Sequence, residues 1–241
     1  MSQICIIVPC YNEANRLAVA EFIAFAGQND FHFLFVNDGS KDTTASILDK
    51  MQITLPEKVQ VLHLAKNGGK AEAVRQGFLQ ALQYYTWIGY LDADLATPLQ
   101  ELHNMSALIQ EKPQYRAIFG SRIKRMGAAI HRNPARHYIG RVFATVAGTM
   151  LKLPIYDTQC GAKLLHKDIL GDIFTTPFAS AWLFDVELLG RIRNKLGIRT
   201  TLQLVVELPL ENWKEIEGSK LKATHFLKLP FELWKVHKAI N

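Results

Sequence analysis

The sequence has few cysteines and no long apolar run. Its three cysteines, Cys5, Cys10 and Cys160, are an odd number without the spacing of a zinc site or a disulfide framework. They lie in apolar or glycine-flanked settings, so we expect reduced, buried thiols. The longest uncharged apolar stretch, residues 142–151, is too short for a membrane span, which needs about 20 residues. A strand pattern begins within a few residues of Met1, so we expect no signal peptide.

Acidic residues are missing from residues 112–156, which carry nine lysines and arginines. The chain has a net charge of +6 and an isoelectric point of about 9.2, which favours anionic partners such as nucleotides or phospholipid surfaces. No nucleic-acid-binding motif accompanies this charge, so we do not expect nucleic acid as a partner. Because 49% of the 241 residues are apolar and no linker interrupts them, the chain can bury a large core.

Apolar segments of strand length alternate with segments of helix length through the first half of the chain. The strand candidates read ICIIVP, HFLFVN, VQVLHL, TWIGYL and RAIFGS. They are apolar throughout, which indicates burial on both faces. The helix candidates are residues 13–27, 42–53, 69–85 and 98–112. This order predicts an α/β fold with a mainly parallel sheet, helices on both faces and ligands beyond the carboxyl ends of the strands.

The second half has a different pattern. A helix is predicted from Asn133-Pro134, an N-cap followed by proline, to about residue 153. DTQCGAKLLHK reads as a turn and a strand, WLFDVELLGRI as a helix and TLQLVVELPL as a strand. From residue 221 a basic amphipathic helix is predicted, bent at Pro230. Its apolar positions are Phe226, Leu229, Leu233, Val236 or His237, and Ile240. Such a helix either packs on the sheet or lies in the interface of an anionic bilayer.

Two aspartates at the end of the fourth predicted strand give the strongest functional signal. Asp92 and Asp94 flank Ala93 in YLDADLATP, and residues two apart on a strand point the same way. Two converging carboxylates repel each other unless a cation lies between them or one takes a proton. Mg²⁺ or Mn²⁺ suits such ligands and also binds phosphate oxygens, so the pattern predicts a metal-bound diphosphate. The alternative is that both aspartates cap the following helix.

Three further polar motifs, PCYNE, NDGSKD and KNGGK, follow the first three predicted strands. In the third, Gly69 lets the backbone approach a ligand, and a helix that starts there offers N–H groups to an anion. Lys66 and Lys70 add positive charge. The Walker spacing is missing. Because all four motifs fall at strand ends, a shared ligand site is favoured over separate surface turns and helix caps.

Together these motifs resemble the inverting family 2 glycosyltransferases of GT-A (Rossmann-like) fold. The resemblance is carried by IIVPCYNEANR, FVNDGSKDTT, NGGKAEAVRQGF and YLDADLATP. The later segments GSR, DTQCGAKLL, WLFDVELL and NWKEIEGSK are similar to the dolichyl-phosphate β-glucosyltransferase branch and, less closely, to the polyprenyl-phosphate mannose synthases. Two features depart from these relatives. The eukaryotic glucosyl enzymes carry an N-terminal membrane anchor that is not seen here, and Ala96 stands where the mannose synthases have a metal-binding glutamine.

The resemblance implies inverting, metal-dependent transfer of a hexose from a nucleotide sugar, with UDP-glucose as the expected donor, to a polyprenyl phosphate. Asp92 and Asp94 would hold Mg²⁺ or Mn²⁺. The residues implied in nucleotide-sugar binding are Pro9, Tyr11, Asn12, Glu13, Asp38, Lys66, Gly69, Lys70, Asp92, Ala93, Asp94 and Lys220. The candidates for the acceptor phosphate are Arg122, Arg136 and Arg141, since guanidinium groups pair bidentately with phosphate. The catalytic candidates are Asp94, Asp157 and Arg122.

The chemical nature of the acceptor decides whether a base is needed. A phosphate monoester has a second pKa of about 6 and is largely dianionic at neutral pH, so binding and orientation suffice. A sugar hydroxyl must lose a proton, and Asp157 is the candidate base. GDP-mannose as donor and a saccharide hydroxyl as acceptor are the alternatives within the family. PCYNEANR lacks the Gly-rich loop expected of a sugar nucleotidyltransferase, and the intact DAD motif disfavours a non-catalytic membrane module.

These assignments predict how the chain is organised. We expect residues 1–220 to form the glycosyltransferase domain, with a nucleotide-sugar-binding half at 1–121 and an acceptor-binding half at 122–220. Residues 221–241 would form the basic amphipathic helix. A lipid-phosphate acceptor implies a peripheral protein on the cytoplasmic face of a membrane. Asp185 and Glu187 are further carboxylate candidates, of which one is expected to be structural.

Overall fold

The computed structural model describes residues 3–131, 134–216 and 223–241, excluding the side chains of residues 134–139 and 223–228. The strands are β1 (Ile4–Cys10), β2 (Phe31–Asn37), β3 (Val59–His63), β4 (Trp87–Leu91), β5 (Ala117–Ser121), β6 (Ala129–His131), β7 (Ala162–His166), β8 (Val205–Pro209) and β9 (Asn212–Lys214). The helices are α1 (Val19–Gln28), α2 (Thr44–Thr54), α3 (Lys70–Ala81), α4 (Glu101–Glu111), α5 (Pro134–Leu151), α6 (Lys167–Leu170), α7 (Phe184–Leu196), α8 (Ile198–Leu204) and α9 (Ala223–Ile240).

The chain divides into two compact units. Unit 1 consists of the residues up to Leu95 together with Gly161–Pro177. Its strands form a sheet in the order β3-β2-β1-β4-β7. The pairs β1–β2, β1–β4 and β2–β3 are parallel, whereas β4–β7 is antiparallel. The predicted α/β fold with a mainly parallel sheet is confirmed, and β7 lies in the predicted strand of DTQCGAKLLHK, but its antiparallel direction was not predicted.

Helices cover both faces of the unit 1 sheet. On one face, Phe22 of α1 meets Phe33 and Phe35 of β2 edge-to-face, with ring centroids 5.5 and 5.1 Å apart. Neighbouring residues of a strand point to opposite faces, so Val36 points to the other side. There it packs against Gly77 of α3, whose Cα lies so close that an added Cβ would be 3.1 Å from Val36. These side chains are buried, which is why the strand segments are apolar throughout.

Unit 2 consists of Ala96–Cys160 and Phe178–Asn241. It contains two parallel strand pairs, β5–β8 and β6–β9. Helix α7 packs against α5, α8 and α9. The buried guanidinium of Arg193 on α7 donates to the carbonyl of Leu151 at 3.3 Å and to that of Ile240 at 3.2 Å. These bonds satisfy carbonyls at the C-terminal ends of α5 and α9, which lack partners within their own helices.

Two predicted elements differ from the structure. The first helix begins at Val19 and not at residue 13, because Glu13 carbonyl accepts turn bonds from Arg16 and Leu17 and the chain here forms a loop. TLQLVVELPL was predicted as one strand, but α8 occupies its first part and only Val205–Pro209 is extended. The hydroxyl and the N–H of Thr201 both donate to the carbonyl of Gly197, and these bonds close a helical turn where a strand was predicted.

The three cysteines are free and buried, as expected. Burial raises the pKa of the Cys5 thiol to about 12, so this group stays protonated and unreactive at neutral pH. Residues 142–151, the longest apolar stretch, lie within α5. None of the helices in the described part of the chain combines the length and the hydropathy that a membrane-spanning segment requires.

Close packing of β4 against β7 makes Gly89 a sensitive position. A Cβ at Gly89 would lie 2.4 Å from the carbonyl oxygen of Lys163, so backbone would have to move. We expect Gly89→Ala to lower the free energy of unfolding by about 1–3 kcal/mol, as overpacking typically does. Gly27→Ala is the matched control, because a Cβ at this position in α1 would meet no atom within 4 Å among the described residues beyond its own helix. This substitution should raise the free energy of unfolding by about 0.5 kcal/mol, since alanine favours a helix more than glycine does. Urea unfolding measures both, and equal effects would contradict the packing described.

Candidate active site

The loops that follow β1 and β2 in unit 1 are tied together by hydrogen bonds. The N–H of Asn12 donates to Ser40 Oγ at 3.0 Å, and Asn12 Oδ1 accepts from the N–H of Lys41 at 2.8 Å. Asn12 has a φ of 52°, a conformation that asparagine adopts more readily than most residues. Asp42 accepts from the N–H of Ala14 at 3.2 Å. The two loops therefore form one structure at the carboxyl ends of neighbouring strands.

Glu13 and Arg16 form an ion pair in the first of these loops. Arg16 Nη2 donates to Glu13 Oε1 at 2.6 Å, Arg16 Nε bonds the other oxygen, and the carboxylate is buried. The hydrogen bond with Glu13 raises the pKa of Arg16, and the charges of Asp94 and Asp92 raise it further. Arg16 therefore lies within the electrostatic field of both aspartates. Sequence reasoning missed it, although it ends the motif PCYNEANR.

Asp38, at the end of β2, braces the glycine loop before α3. Its Oδ1 accepts from the N–H of Gly68 at 2.7 Å and its Oδ2 from that of Gly69 at 2.8 Å. Burial raises the pKa of this carboxyl, and the two N–H groups oppose that shift. Gly39 has a φ of 62°, and its Cα faces the backbone of Lys66, whose side chain is exposed. Asp38 thus fixes the conformation of this loop.

Asp92 and Asp94 are half-buried at the end of β4, with the buried Ala93 between them. Lys70, the first residue of α3, places its Nζ 2.5 Å from Asp92 Oδ1. The N–H of Asp92 donates to the carbonyl of Gly161 at 3.1 Å. A Cβ at Gly161 would lie 2.0 Å from Asp92 Oδ2, so only glycine leaves room for this carboxylate. Gly161 was not predicted as a site residue, although it lies in the motif DTQCGAKLL.

The alternative that the aspartates cap the next helix is wrong. Helix α4 begins at Glu101, and its N-cap residue is Gln100. The donor set fits a divalent ion that takes its remaining ligands from phosphate and water, because two carboxylates are hard oxygen ligands. Within residues 3–131, 134–216 and 223–241 no group of three or more His, Cys, Asp or Glu could hold a metal alone. An ion here would therefore depend on ligands that the substrate brings.

Two lysines lie near the ring of Tyr90, which precedes Asp92 by two residues. Lys70 Nζ is 5.5 Å and Lys163 Nζ is 5.2 Å from the ring centroid, distances typical of cation–π contacts. Lys163 on β7 is only 1% exposed. Sequence reasoning missed it, and the available signal was a lysine within the apolar segment GAKLL. Lys163 is the register partner of Tyr90 in the β4–β7 pair, which sets its Nζ beside this ring.

In unit 2 the structure brings two predicted catalytic residues together. Arg122 Nε donates to Asp157 Oδ2 at 2.6 Å, and Arg122 Nη2 donates to Asp157 Oδ1 at 2.8 Å. The N–H of Arg122 adds a third bond to Asp157 at 3.1 Å. Both side chains are largely buried, and the guanidinium lies 5.2 Å from the ring of Trp213. This bidentate pair is a strong, fixed arrangement because charge-assisted bonds hold both oxygens.

Glu207 on β8 fixes the backbone that carries Asp157. Its two oxygens accept from the N–H groups of Tyr156 and Asp157, each at 2.7 Å. Arg141 of α5 donates to the carbonyl of Tyr156 at 2.7 Å and stacks on its ring at 3.6 Å. Burial raises the pKa of Glu207, and the charge of Asp157 raises it further, while the two N–H groups oppose these effects. Sequence reasoning missed Glu207, which reads as one polar residue in a strand.

The remaining predicted residues divide into those that the structure describes and those that it does not. Pro9 and Tyr11 are half-buried at the end of β1. Gly69 is the N-cap of α3 with a φ of 87°, which favours glycine. Arg136 belongs to α5, but its side chain lies outside the described residues, and Lys220 lies outside them altogether. Glu187 is buried and accepts from the backbone of Ala179 at 2.8 Å, so it has the structural role expected of one carboxylate in its motif.

Comparisons with known proteins identify the family of this chain. The family model "Glycosyl transferase family 2" matches residues 5–174. A dolichyl-phosphate beta-glucosyltransferase of Drosophila melanogaster is 35% identical over 234 residues, which cover 91% of this chain and 69% of the relative. Dolichyl-phosphate beta-glucosyltransferase ALG5C of Trichomonas vaginalis is 32% identical over 247 residues, which cover 95% and 69%. This chain belongs to glycosyl transferase family 2 and is a glycosyltransferase.

The fold is also that of solved glycosyltransferases. Glucosyl-3-phosphoglycerate synthase from Mycobacterium tuberculosis, solved with Mn²⁺, UDP and glucosyl-3-phosphoglycerate, superposes with a TM-score of 0.67 at 14% identity. The match covers 98% of this chain and 80% of that structure. The predicted GT-A fold is therefore confirmed. At this identity the likeness concerns the fold alone.

The environment of Glu207 yields a prediction on stability. Because its pKa is raised in the folded protein, its stabilising contribution is full below the ordinary value of 4.5 and is lost as pH rises through the folded value. Glu207→Gln does not titrate, so its stability relative to the parent protein should increase as pH rises from 4.5 to neutrality. Urea unfolding at several pH values measures this difference.

Glu211→Gln is the matched control for this experiment, since Glu211 is exposed. Its stability relative to the parent protein should change little over the same pH range. A Glu207→Gln variant that becomes relatively less stable as pH rises would contradict the inferred effect of burial.

Proposed function

We propose that this glycosyltransferase moves glucose from UDP-glucose to a polyprenyl phosphate of the dolichyl type, with inversion at the anomeric carbon. Support comes from relatives named dolichyl-phosphate beta-glucosyltransferase at 32–35% identity over more than nine-tenths of the chain. The enzyme would act as a peripheral protein on the cytoplasmic face of a membrane, because its acceptor is a lipid. GDP-mannose as donor and a saccharide hydroxyl as acceptor are the competing outcomes of the experiments below.

The donor would bind to residues of unit 1. Asp38 holds the Gly68–Gly69 loop next to the N-terminus of α3. At a helix N-terminus, N–H groups and the helix dipole favour an anion. Asp92 and Asp94 would hold Mg²⁺ or Mn²⁺, which when bound neutralises charge on the diphosphate leaving group. Lys70, which pairs with Asp92 in this structure, would turn to the diphosphate and supply a further positive charge.

The acceptor phosphate would bind to residues of unit 2. The observation that carries this choice is the bidentate pair of Arg122 with Asp157, in which both carboxylate oxygens already accept N–H groups. A carboxylate used in this way is poorly placed to take a proton from a sugar hydroxyl. Asp157 would instead orient Arg122, and Arg122, Arg136 and Arg141 would bind phosphate oxygens. A phosphate acceptor fits because it is already ionised.

The proposed reaction is a single displacement. An ionised oxygen of the lipid phosphate donates its electron pair to the anomeric carbon of glucose. The bond from that carbon to the diphosphate oxygen breaks, and its electron pair leaves with UDP. No proton is transferred, so the products are a β-glucosyl phosphate lipid and UDP. Residues 1–121 are proposed to supply the donor contacts, residues 122–220 the acceptor contacts, and Lys220 a charge near the diphosphate.

Product formation tests the proposal directly. The protein incubated with UDP-glucose, Mn²⁺ or Mg²⁺ and a short-chain polyprenyl phosphate should form a chloroform-soluble glucosyl lipid, and EDTA should abolish it. Formation of a mannosyl lipid from GDP-mannose would favour the first alternative. No product from UDP-glucose, UDP-galactose, UDP-N-acetylhexosamine or GDP-mannose would overturn the proposal.

Gly161→Ala gives this assay a structural variant. Its Cβ would displace the Asp92 carboxylate without removing it, so we expect a loss of product formation of roughly tenfold or more and a higher metal requirement. Gly27→Ala is the matched control, since the same atom is added where nothing lies within 4 Å. Equal rates for the two variants would contradict the role given to Asp92.

Asp157→Asn distinguishes the two classes of acceptor. If Asp157 only orients Arg122, the variant should lose about tenfold in kcat while the shape of the pH–rate profile is kept. Loss of a general base costs about 10²–10⁴-fold and would change the acidic limb to the one set by the acceptor phosphate alone, whose second pKa is about 6. The measurement is kcat between pH 5 and pH 9 with the lipid phosphate as acceptor. Asp172→Asn, at an exposed position, controls for the change of charge.

A further inference from the structure

Helix α9 carries a pair of exposed aromatic rings. Phe231 and Trp234 are each 56% exposed, and their rings stack with centroids 5.9 Å apart and planes 18° from parallel. Residues three apart lie on the same side of a helix. The two rings therefore form one apolar surface on unit 2 that faces solvent.

The opposite side of α9 is used for packing within unit 2. Val236 and Ile240 are buried, and Ile240 lies so close to Gly190 of α7 that an added Cβ there would be 2.7 Å away. Arg193 and Asn194 of α7 donate to the carbonyl of Ile240 at 3.2 and 2.6 Å. Two positions of the predicted apolar face thus pack against protein. Any contact of α9 with another surface must involve its other side.

Two lysines accompany the exposed rings. Lys235 Nζ lies 4.7 Å from the ring centroid of Phe231, and Lys238 Nζ lies 5.7 Å from that of Trp234. Lys235 also bonds Glu232 at 2.8 Å, and that carboxylate accepts from Ser180 at 2.6 Å. The sequence of residues 221–241 contains four lysines and one acidic residue, Glu232. The exposed side of α9 therefore combines aromatic area with positive charge.

Exposed aromatic rings with lysines beside them favour a lipid surface over a protein as the partner of this side of α9. Lysine is depleted at the centres of protein–protein interfaces, where charge would be buried. At a membrane interface tryptophan lies at the level of the head groups, and lysine extends its ammonium group to the anionic phosphates. Phe231 and Trp234 each have an ammonium group beside the ring, which fits the second environment.

We propose that the aromatic–lysine face, defined as Phe231, Trp234, Lys235 and Lys238, docks on the head-group region of an anionic bilayer. The rings would enter the interface and the two lysines would contact lipid phosphates. The inference deepens the proposed function, on which it rests for the lipid nature of the acceptor. It assigns the membrane contact to the side of α9 that the protein core does not use.

Vesicle binding tests the proposal without donor, metal or acceptor. The full chain should co-sediment with phosphatidylcholine–phosphatidylglycerol vesicles more strongly than with phosphatidylcholine alone. Phe231→Ser with Trp234→Ser should weaken binding roughly tenfold or more, since two half-exposed rings are lost. Lys235→Gln and Lys238→Gln should each cost about fivefold on anionic vesicles and little on neutral ones. Ile53→Ser, which removes an 80% exposed apolar side chain from α2 of unit 1, should bind like the parent protein.

Tryptophan fluorescence reports the depth of insertion. Trp87 and Trp213 are buried, Trp182 is half-buried and Trp234 is 56% exposed. With Trp182→Phe as the background, quenching by brominated phosphatidylcholine should come chiefly from Trp234. Trp234→Phe should keep vesicle binding while losing most of that quenching. Unchanged binding of the double serine variant, or quenching that survives Trp234→Phe, would overturn the proposal. A concentration-dependent dimer that the serine variant abolishes, with no vesicle binding, would also overturn it and identify a second copy as the occupant.

These outcomes are separate from those of the proposed function. The double serine variant should still glucosylate a short-chain acceptor that is soluble in detergent. If the protein binds vesicles but forms no glucosyl lipid, the docking face is supported and the proposed reaction is contradicted. If it forms the product but does not bind vesicles, the proposed reaction is supported and the docking face is contradicted.

Discussion

Loops in both units are held by buried or half-buried carboxylates that accept from two successive backbone N–H groups. Asp38 holds Gly68 and Gly69, and Glu207 holds Tyr156 and Asp157. Further examples are Glu101 with Glu211 and Asn212, and Glu187 with Ala179 and Ser180. A buried charge is tolerated only where hydrogen bonds replace those of water, and a loop backbone needs acceptors for its N–H groups. The carboxylate obtains donors and the loop N–H groups obtain an acceptor, so these hydrogen bonds fix the conformation of the loop.

Two pairs of opposite charges lie among the residues of the candidate site. Lys70 pairs with Asp92 in unit 1, and Arg122 pairs with Asp157 in unit 2. A buried or half-buried ion without a partner would be costly, and like charges such as those of Asp92 and Asp94 repel. If the proposed ligands bind at these residues, each ligand would replace one ionic partner by another. The ion pairs meanwhile lower the cost of holding these charges in a partly buried position.

The parts of the fold and site that could be predicted are those with a local signal. The apolar strands, Asp92, Asp94 and the glycine loop before Lys70 each show in a few consecutive residues. Glu207 could not be predicted, because its partners lie 50 and 51 residues earlier in the chain. Lys163 is recognisable only once β7 pairs with β4 and sets it beside Tyr90. The exposed side of α9 required the structure too, since helical spacing alone does not say which apolar row faces the core.

The return of the chain to unit 1 at Gly161 has a consequence for biosynthesis. The sheet gains β7 only after all of Ala96–Cys160 has been made, and the carbonyl of Gly161 then accepts the N–H of Asp92. Domains generally begin to fold during synthesis, from the N-terminus onward. A nascent chain that has emerged from the ribosome only as far as Leu95 therefore carries both aspartates without the strand that orients them. The contact between Asp92 and Gly161 would form only after residues 161–166 have emerged as well.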